Sequence, residues 1–176
     1  PMGYGGKQTG FIAKKLPEAL AKNPSDIIIL AGVNDLASGR TVEHVKKNLK
    51  YMYTTAQKAG VRVVAVKILP WHGRKSAKGN EDKTHKVNAE IESLIASLPP
   101  LEDPDRPHMV VDVNAMHSGD PAKYEMSKEY ANDGIHPNKK GKEMLAQIIV
   151  DQAFQTKQKE EEQIEVPQEQ GEQAYA

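Results

Sequence analysis

Three short runs of apolar and β-branched residues alternate with amphipathic segments along this chain, and this alternation most constrains its fold. The runs lie at residues 26–31 (DIIILA), 61–69 (VRVVAVKIL) and 109–113 (MVVDV). Apolar residues recur at helical spacing at residues 11–22, 41–59, 81–98 and 137–155. Strands that alternate with helices are typical of βαβ units. We therefore expect an α/β fold in which a parallel sheet carries helices on both faces, a three-layer α/β/α sandwich.

Capping and breaking residues set the expected ends of these elements. Thr41 is suited to cap the helix that follows it, and Gly60 is suited to end that helix. We expect Pro24 to end the first helix and Pro137 to lie in the first turn of the last helix. The run at 26–31 is almost wholly apolar, which predicts a strand that is buried on both faces.

Composition narrows the class of protein. The 176 residues are the length of one ordinary domain, and the formal net charge of zero gives no reason to expect nucleic acid as a partner. No apolar run approaches the ~18 residues that a membrane span needs. The absence of cysteine excludes disulfides and thiolate metal sites. Residues 157–176 carry six Glu and two Lys, which predicts an acidic, disordered tail behind a soluble domain at 1–156.

The motif Asp133-Gly-Ile-His-Pro-Asn138 is the sharpest local signal for chemistry. The Asp and the His are three residues apart, so the Asp133 carboxylate can reach Nδ1–H of His136 within one turn. That contact would orient the imidazole and leave Nε2 of His136 free to act as a general base. The alternative is an ordinary turn in which Asp133 caps a helix and His136 is a surface residue.

A second motif, Gly32-Val-Asn-Asp35, directly follows the first apolar run. Ligands of parallel sheets bind beyond the carboxyl ends of the strands, which is where Asn34 is expected to lie. Its amide NH₂ could donate to an oxyanion. The alternative is a strand-to-helix turn built from residues that favour turns.

Two further segments are candidates for the same site. The loop Gly3-Tyr-Gly-Gly-Lys-Gln-Thr9 could bring backbone N–H groups close to a ligand, although a plain flexible loop would have the same composition. Trp71 and His72 follow the second strand and could line a substrate pocket; the alternative is a loop aromatic folded over the edge of the core. No cluster of His, Asp and Glu has convincing metal-ligand spacing.

Together these motifs resemble the SGNH hydrolases, also called GDSL esterases. In that family an ordered series of blocks contains Gly-Asp-Ser, an oxyanion glycine, Gly-x-Asn-Asp and Asp-x-x-His. Residues 32–35 match the third block and residues 133–136 match the last. The resemblance covers roughly residues 3–153 and implies a flavodoxin-like SGNH hydrolase fold. It also implies that Gly6, with Gly5 and Gly3 as competitors, supplies an oxyanion N–H.

The resemblance implies hydrolysis of a carboxylic ester, such as an acyl ester, an acetylated sugar or a lipid, without a cofactor. Catalysis would use His136, Asp133, Asn34 and Gly6 together with a serine nucleophile. No Gly-Asp-Ser occurs in the chain, and Gly119-Asp-Pro121 has proline in place of the serine. We therefore expect the first strand and the nucleophile to precede Pro1, in a segment that is attached or is a separate chain. The alternative is a catalytically silent binding or structural module that keeps the same fold.

Overall fold

The structure is a computed structural model that describes residues 2–71, 77–120 and 123–154. Its helices are α1 (Thr9–Leu20), α2 (Val33–Ala37), α3 (Val42–Lys58), α4 (Ala77–Ala96) and α5 (Lys139–Ala153). Its strands are β1 (Asp26–Ile29), β2 (Arg62–Val66) and β3 (Met109–Val111), and a 3-10 turn follows at Asn114–Met116. The predicted acidic tail at 157–176 lies outside the described residues, so its disorder stays a prediction.

The three strands form one parallel sheet in the order β1-β2-β3. Asp26 is opposite Arg62 in the first pair, and Val64 is opposite Met109 in the second. The predicted adjacent parallel strands are therefore confirmed. Because the strands are parallel, their carboxyl ends share one edge of the sheet, and the segments that follow β1 and β2 meet there.

Apolar side chains pack on both faces of the central strand, β2. Val63 and Ala65 lie in a core that includes residues of α1, α3 and α4. Val64 and Val66 point the other way, into a core completed by β3 and α5. Successive side chains of a strand alternate between faces, so every residue of β2 is buried. Helices on both faces of a parallel sheet confirm the three-layer α/β/α fold.

The prediction that β1 is buried on both faces is wrong. Ile27 and Ile29 pack into the core shared with α1 and α3. Ile28, on the opposite face, is 48% exposed, and Leu30 just beyond the strand is 40% exposed. The reason is positional: β1 is at the edge of the described sheet, and α5 covers only β2 and β3 among the described residues.

The strands are also shorter than the apolar runs that predict them. At the end of β2, the side chain of Asn88 replaces a neighbouring strand. The Ile68 amide donates to Oδ1 of Asn88 at 2.8 Å, and Nδ2 of Asn88 donates to the Ile68 carbonyl at 3.3 Å. This side chain, from the middle of α4, turns the chain out of the sheet and towards the loop that follows β2.

The helix ends agree with the predictions in part. Thr41 caps α3 as expected, since its hydroxyl accepts a hydrogen bond from the His44 amide at 3.1 Å. The first helix ends at Leu20, before Pro24. The last helix begins at Lys139, and its cap is Asn138, whose side chain accepts from the Gly141 amide at 2.9 Å. Pro137 therefore precedes the cap and does not lie in the first turn.

None of the helices in the described part of the chain combines the length and the apolar character needed to cross a membrane.

Candidate active site

The described residues of the predicted site lie on segments that meet at the carboxyl edge of the sheet. After β1 the chain turns at Gly32, whose φ of +123° is a conformation that residues with a Cβ rarely adopt. A Cβ on Gly32 would also be 2.9 Å from Cδ1 of Ile68 and 3.1 Å from Cγ1 of Val45. Glycine is thus required at this turn. The turn places Asn34 in the first turn of α2, just beyond the carboxyl end of β1.

Asn34 and the glycine loop are joined directly. Nδ2 of Asn34 donates to the Lys7 carbonyl at 3.1 Å. In the loop itself the Lys7 amide donates to the Tyr4 carbonyl at 3.2 Å, which closes a tight turn through Gly5 and Gly6. Gly6 has φ +72°, whereas neither Gly3 nor Gly5 has a positive φ. Of the three candidate glycines, Gly6 is therefore the one whose backbone conformation favours glycine.

A cleft of about 110 Å³ brings several predicted residues together. Its lining includes Lys7 of the glycine loop, Asn34, Trp71 and Ile135, which is the neighbour of His136 in the chain. Neither Gly6 nor His136 is among its lining residues, so these two lie next to the cleft and not on its wall. The cleft thus connects the carboxyl end of β1 to the loop that carries His136.

Asp133 and His136 make the contact that their spacing predicts. Nδ1 of His136 and Oδ2 of Asp133 are 2.7 Å apart. The other carboxylate oxygen accepts from the amides of Ile135 at 3.0 Å and His136 at 2.8 Å. The hydrogen bond from the His136 side chain, followed by these two amide bonds, holds the pKa of Asp133 well below its usual range. Asp133 therefore both closes the turn and orients the ring.

The loop that carries this pair is fixed to α5 through a glycine. The Asn138 amide donates to the Tyr130 carbonyl at 2.8 Å, just before α5 begins. A Cβ on Gly141 would lie 2.2 Å from that same carbonyl oxygen, so only glycine allows this approach. The side chain of His136 is nonetheless 81% exposed. Its backbone is thus well anchored, while its ring is open to a group arriving from outside.

Trp71 lines the cleft but is a fixed part of the core. It is buried, and its Nε1 donates to Oγ1 of Thr84 at 2.9 Å. Trp71 therefore covers the edge of the core and also forms part of the cleft wall, while its contact with a substrate stays a prediction. His72, its predicted companion, lies outside the described residues.

One residue of the site was given no role by the sequence. Asp35, next to Asn34, is completely buried. Its carboxylate accepts hydrogen bonds from the Thr9 amide at 2.8 Å and the Thr9 hydroxyl at 2.6 Å. These contacts join α2 to the start of α1. The motif Gly-x-Asn-Asp indicates that an acid is present, but nothing in the sequence identifies its partner 26 positions earlier.

Among residues 2–71, 77–120 and 123–154, no group of three or more His, Cys, Asp or Glu residues could hold an ion.

Comparisons with known proteins identify the family. Residues 2–144 match the family model described as GDSL-like lipase/acylhydrolase. A GDSL-like lipase from Bacteroides thetaiotaomicron superposes with a TM-score of 0.71 at 20% identity, over 84% of this chain and 71% of that one. A lipase/acylhydrolase from Enterococcus faecalis has a TM-score of 0.62 at 22% identity, over 84% and 70%.

A psychrotrophic esterase from Pseudoalteromonas, solved in a form inhibited by monoethylphosphonate, has a TM-score of 0.59 at 19% identity, over 83% of this chain and 70% of that one. No curated protein sequence is a significant match. At these identities the superpositions support the fold, while the family model covers most of the chain. The chain therefore belongs to the GDSL-like lipase/acylhydrolase family, whose members are hydrolases that act on esters.

Proposed function

We propose that this protein hydrolyses carboxylic esters through a Ser-His-Asp triad in which His136 is the general base and Asp133 orients it. The observation that carries the proposal is the 2.7 Å contact between Nδ1 of His136 and Oδ2 of Asp133. With Nδ1 engaged in this way, Nε2 of His136 is the nitrogen left to exchange a proton with the nucleophile. The exposure of the ring leaves room for that nucleophile.

The chemistry follows from these positions. A serine Oγ attacks the ester carbonyl while Nε2 of His136 takes its proton, and a tetrahedral oxyanion forms. When the C–O bond to the alcohol breaks, His136 gives that proton to the departing oxygen. Water then hydrolyses the acyl-enzyme in the same two steps. Asp133 stays ionised throughout and stabilises the imidazolium, a role that suits its lowered pKa.

The oxyanion is stabilised by Asn34 and by the amide of Gly6. A side-chain amide carries two N–H donors, and one from Asn34 is used to hold the Lys7 carbonyl. The second donor remains for the substrate. The same bond ties Asn34 to the residue that follows Gly6, so both donors belong to one connected unit. Donors that are fixed before the reaction stabilise developing charge without a cost of reorganisation.

The serine is proposed to come from a segment outside these 176 residues. Five serine side chains in the described residues make hydrogen bonds, each to a residue close to it in the chain. Ser25 donates to Asp26, and Ser93 and Ser97 donate to backbone carbonyls of α4. Ser118 and Ser127 accept from nearby amides. None of these bonds involves His136. No Gly-Asp-Ser occurs in the sequence either.

The exposed face of β1 supports this assignment of the serine. A groove of about 640 Å³ runs along β1 and α1, and Ile28 and Leu30 are among its lining residues. A strand added at the outer edge of β1 would pair with its free backbone groups and occupy this groove. Its carboxyl end would then lie beside the Gly32 turn, where a nucleophile can reach both the cleft and His136.

The cleft favours a small acyl group. Its volume is about 110 Å³, and Trp71 and Ile68 give it apolar walls. Short-chain acyl esters, including acetylated sugars, fit this size better than a long lipid chain does. No cofactor enters the proposed mechanism.

The test is hydrolysis of p-nitrophenyl acetate by the product of the full open reading frame that encodes this chain. The His136→Ala variant should lose at least about a thousandfold in kcat, since triad members act as a unit. A matched control is His85→Ala, at an exposed histidine on α4, which should keep its activity. The 176-residue chain expressed alone should hydrolyse little.

Full activity in the His136→Ala variant would overturn the mechanism. Strong activity of the 176-residue chain alone would show that the nucleophile lies within it. Absence of hydrolysis for a panel of short-chain esters by the intact product would favour the alternative, a silent module that binds without catalysis.

A further inference from the structure

The carboxylate of Asp35 is completely buried, and the proposed mechanism does not use it. A buried charge is costly unless it is paired or accepts several hydrogen bonds. Among the described residues, Thr9 alone donates hydrogen bonds to the Asp35 carboxylate, from its amide at 2.8 Å and from its hydroxyl at 2.6 Å. Nε2 of His44 lies 3.7 Å away on its other side.

This contact caps α1 from a different part of the chain. The residue at the N-cap position, Gln8, makes no side-chain capping bond. The first N–H groups of a helix need acceptors, and a carboxylate there also interacts favourably with the helix dipole. Asp35 supplies both the hydrogen-bond acceptor and the carboxylate. Asn48 supports the arrangement from α3, since its Nδ2 donates to the Thr9 hydroxyl at 2.9 Å.

Two cross-links therefore join the same pair of segments. Asn34 binds the carbonyl of Lys7, and the next residue, Asp35, binds Thr9, two positions after Lys7. A single hydrogen bond leaves a loop free to rotate about it, whereas two adjacent bonds fix both its distance and its orientation. The pair thus sets where the Gly6 amide stands relative to the Asn34 side chain.

We infer that Asp35 is a positioning residue for ester hydrolysis, which holds the glycine loop and Asn34 in register as one oxyanion hole. This inference rests on the proposed function. Misplacement of reacting groups by about 1 Å can cost a hundredfold in rate. Removal of the Asp35–Thr9 link should therefore lower kcat even though Asp35 does not touch the substrate.

The test compares Asp35→Asn with Asp26→Asn in the product of the full open reading frame. An asparagine at 35 keeps the volume but turns an NH₂ group towards a Thr9 donor. Asp26 is a matched control, because it is also tied to distant residues, Arg62 at 3.3 Å and Arg106 at 3.0 Å, but at the opposite end of β1. The concentration of active sites is measured by titration with a reactive phosphonate, so that unfolded molecules do not lower the apparent kcat.

Per titrated site, Asp35→Asn should lose about ten- to a hundredfold in kcat with KM within about twofold, while Asp26→Asn should keep its kcat. When Asp35→Asn is combined with Asn34→Ala, the loss should be well below the product of the single losses, since both act on one oxyanion hole. Thr9→Ser should keep its kcat, whereas Thr9→Val should lower kcat by less than Asp35→Asn does, because valine keeps only the amide bond to Asp35. An Asp35→Asn kcat equal to that of Asp26→Asn, or fully multiplicative losses, would overturn the inference.

A readout without turnover separates this inference from the proposed function. In the Asp35→Asn variant, NMR order parameters of the Gly5 and Gly6 amides should fall and the Thr9 amide should exchange faster with solvent, whereas Asp26→Asn should leave all three unchanged. If the intact product hydrolyses no ester, the proposed function fails, and these amides still decide whether Asp35 fixes the loop. Unchanged Gly6 and Thr9 amides in Asp35→Asn would refute it.

Discussion

The two halves of the candidate site are held together by contacts of very different range. Asp133 and His136 are three residues apart, and the hydrogen bonds that Asp133 accepts all come from the next three residues. Asn34 and Lys7 are 27 residues apart, and Asp35 and Thr9 are 26 apart. The contact in the first half lies within one short segment, although Ile135 of that segment packs against the core. The second half forms only when α1, β1 and α2 have packed.

This difference predicts how each half responds to change. The Asp133–His136 half is exposed, so substitutions there should alter chemistry with little effect on folding. The Asn34–Asp35 half is built around a buried carboxylate, so substitutions there should affect both the rate and the order of the loop. A variant in the first half is thus the cleaner probe of mechanism.

The largest effect is expected for Asp133→Asn. Asparagine can still accept from the Ile135 and His136 amides, so the turn should persist, but it no longer favours the His136 tautomer that has its proton on Nδ1. We expect kcat to fall by about a thousandfold or more, measured with p-nitrophenyl acetate. Near-normal kcat in this variant would mean that the pair is a structural turn only.

A smaller but still large loss is expected for Asn34→Ala. Removal of one oxyanion donor costs about a hundredfold or more in kcat, and here the bond to the Lys7 carbonyl is lost as well. KM should change much less, because the donor acts mainly on the transition state. A raised KM with an unchanged kcat would instead make Asn34 a residue that binds the ground state.

The sequence made the local half of the site easy to predict and the tertiary half hard. A three-residue spacing and a carboxylate-to-imidazole contact can be inferred from a single motif. The partners of Asn34 and Asp35 could not be, because each lies on a segment that becomes a neighbour only through the crossover between α1 and α2. The motif Gly-Val-Asn-Asp shows that an aspartate is present at position 35, but its burial and its bond to Thr9 depend on packing.

The same distinction applies to the fold. The alternation of apolar runs and helices was enough to predict that the strands form one parallel sheet. The exposure of Ile28 could not be predicted, because it depends on how far α5 extends across the sheet. The end of β2 could not be predicted either, since it depends on Asn88, whose side chain takes the hydrogen bonds of Ile68.

A stability comparison tests the anchoring of the His136 loop. In Gly141→Ala the new Cβ would meet the Tyr130 carbonyl at 2.2 Å, so the free energy of unfolding should fall by about 1–3 kcal/mol. Gly10→Ala is the matched control in α1, where the nearest atom, Nδ2 of Asn48, is 3.7 Å away. That variant should be neutral or gain up to about 1 kcal/mol from helix propensity. Urea denaturation measures both, and equal stabilities would contradict the close approach at Gly141.

The smallest effect is a pH dependence of stability. The pKa of Asp133 is lowered in the folded state by its hydrogen bond from His136 and by two amides, whereas the unfolded value is about 3.9. Its contribution is therefore fully present above about pH 4 and is lost as the pH falls through the folded-state value. The Tm difference between the wild type and Asp133→Asn should shrink as the pH falls from about 5 to below about 4. A Tm difference that grows over this range would contradict the lowered pKa of Asp133.

The central claim is that both halves act on one ester, and the adduct with a reactive ethylphosphonate tests it most directly. A crystal structure of the intact protein after inactivation should show a phosphonylated serine. Its phosphoryl oxygen should lie within about 3.2 Å of both Nδ2 of Asn34 and the Gly6 amide, with Nε2 of His136 beside the serine oxygen. A phosphonate attached elsewhere, or one whose oxygen is far from Asn34, would contradict the account.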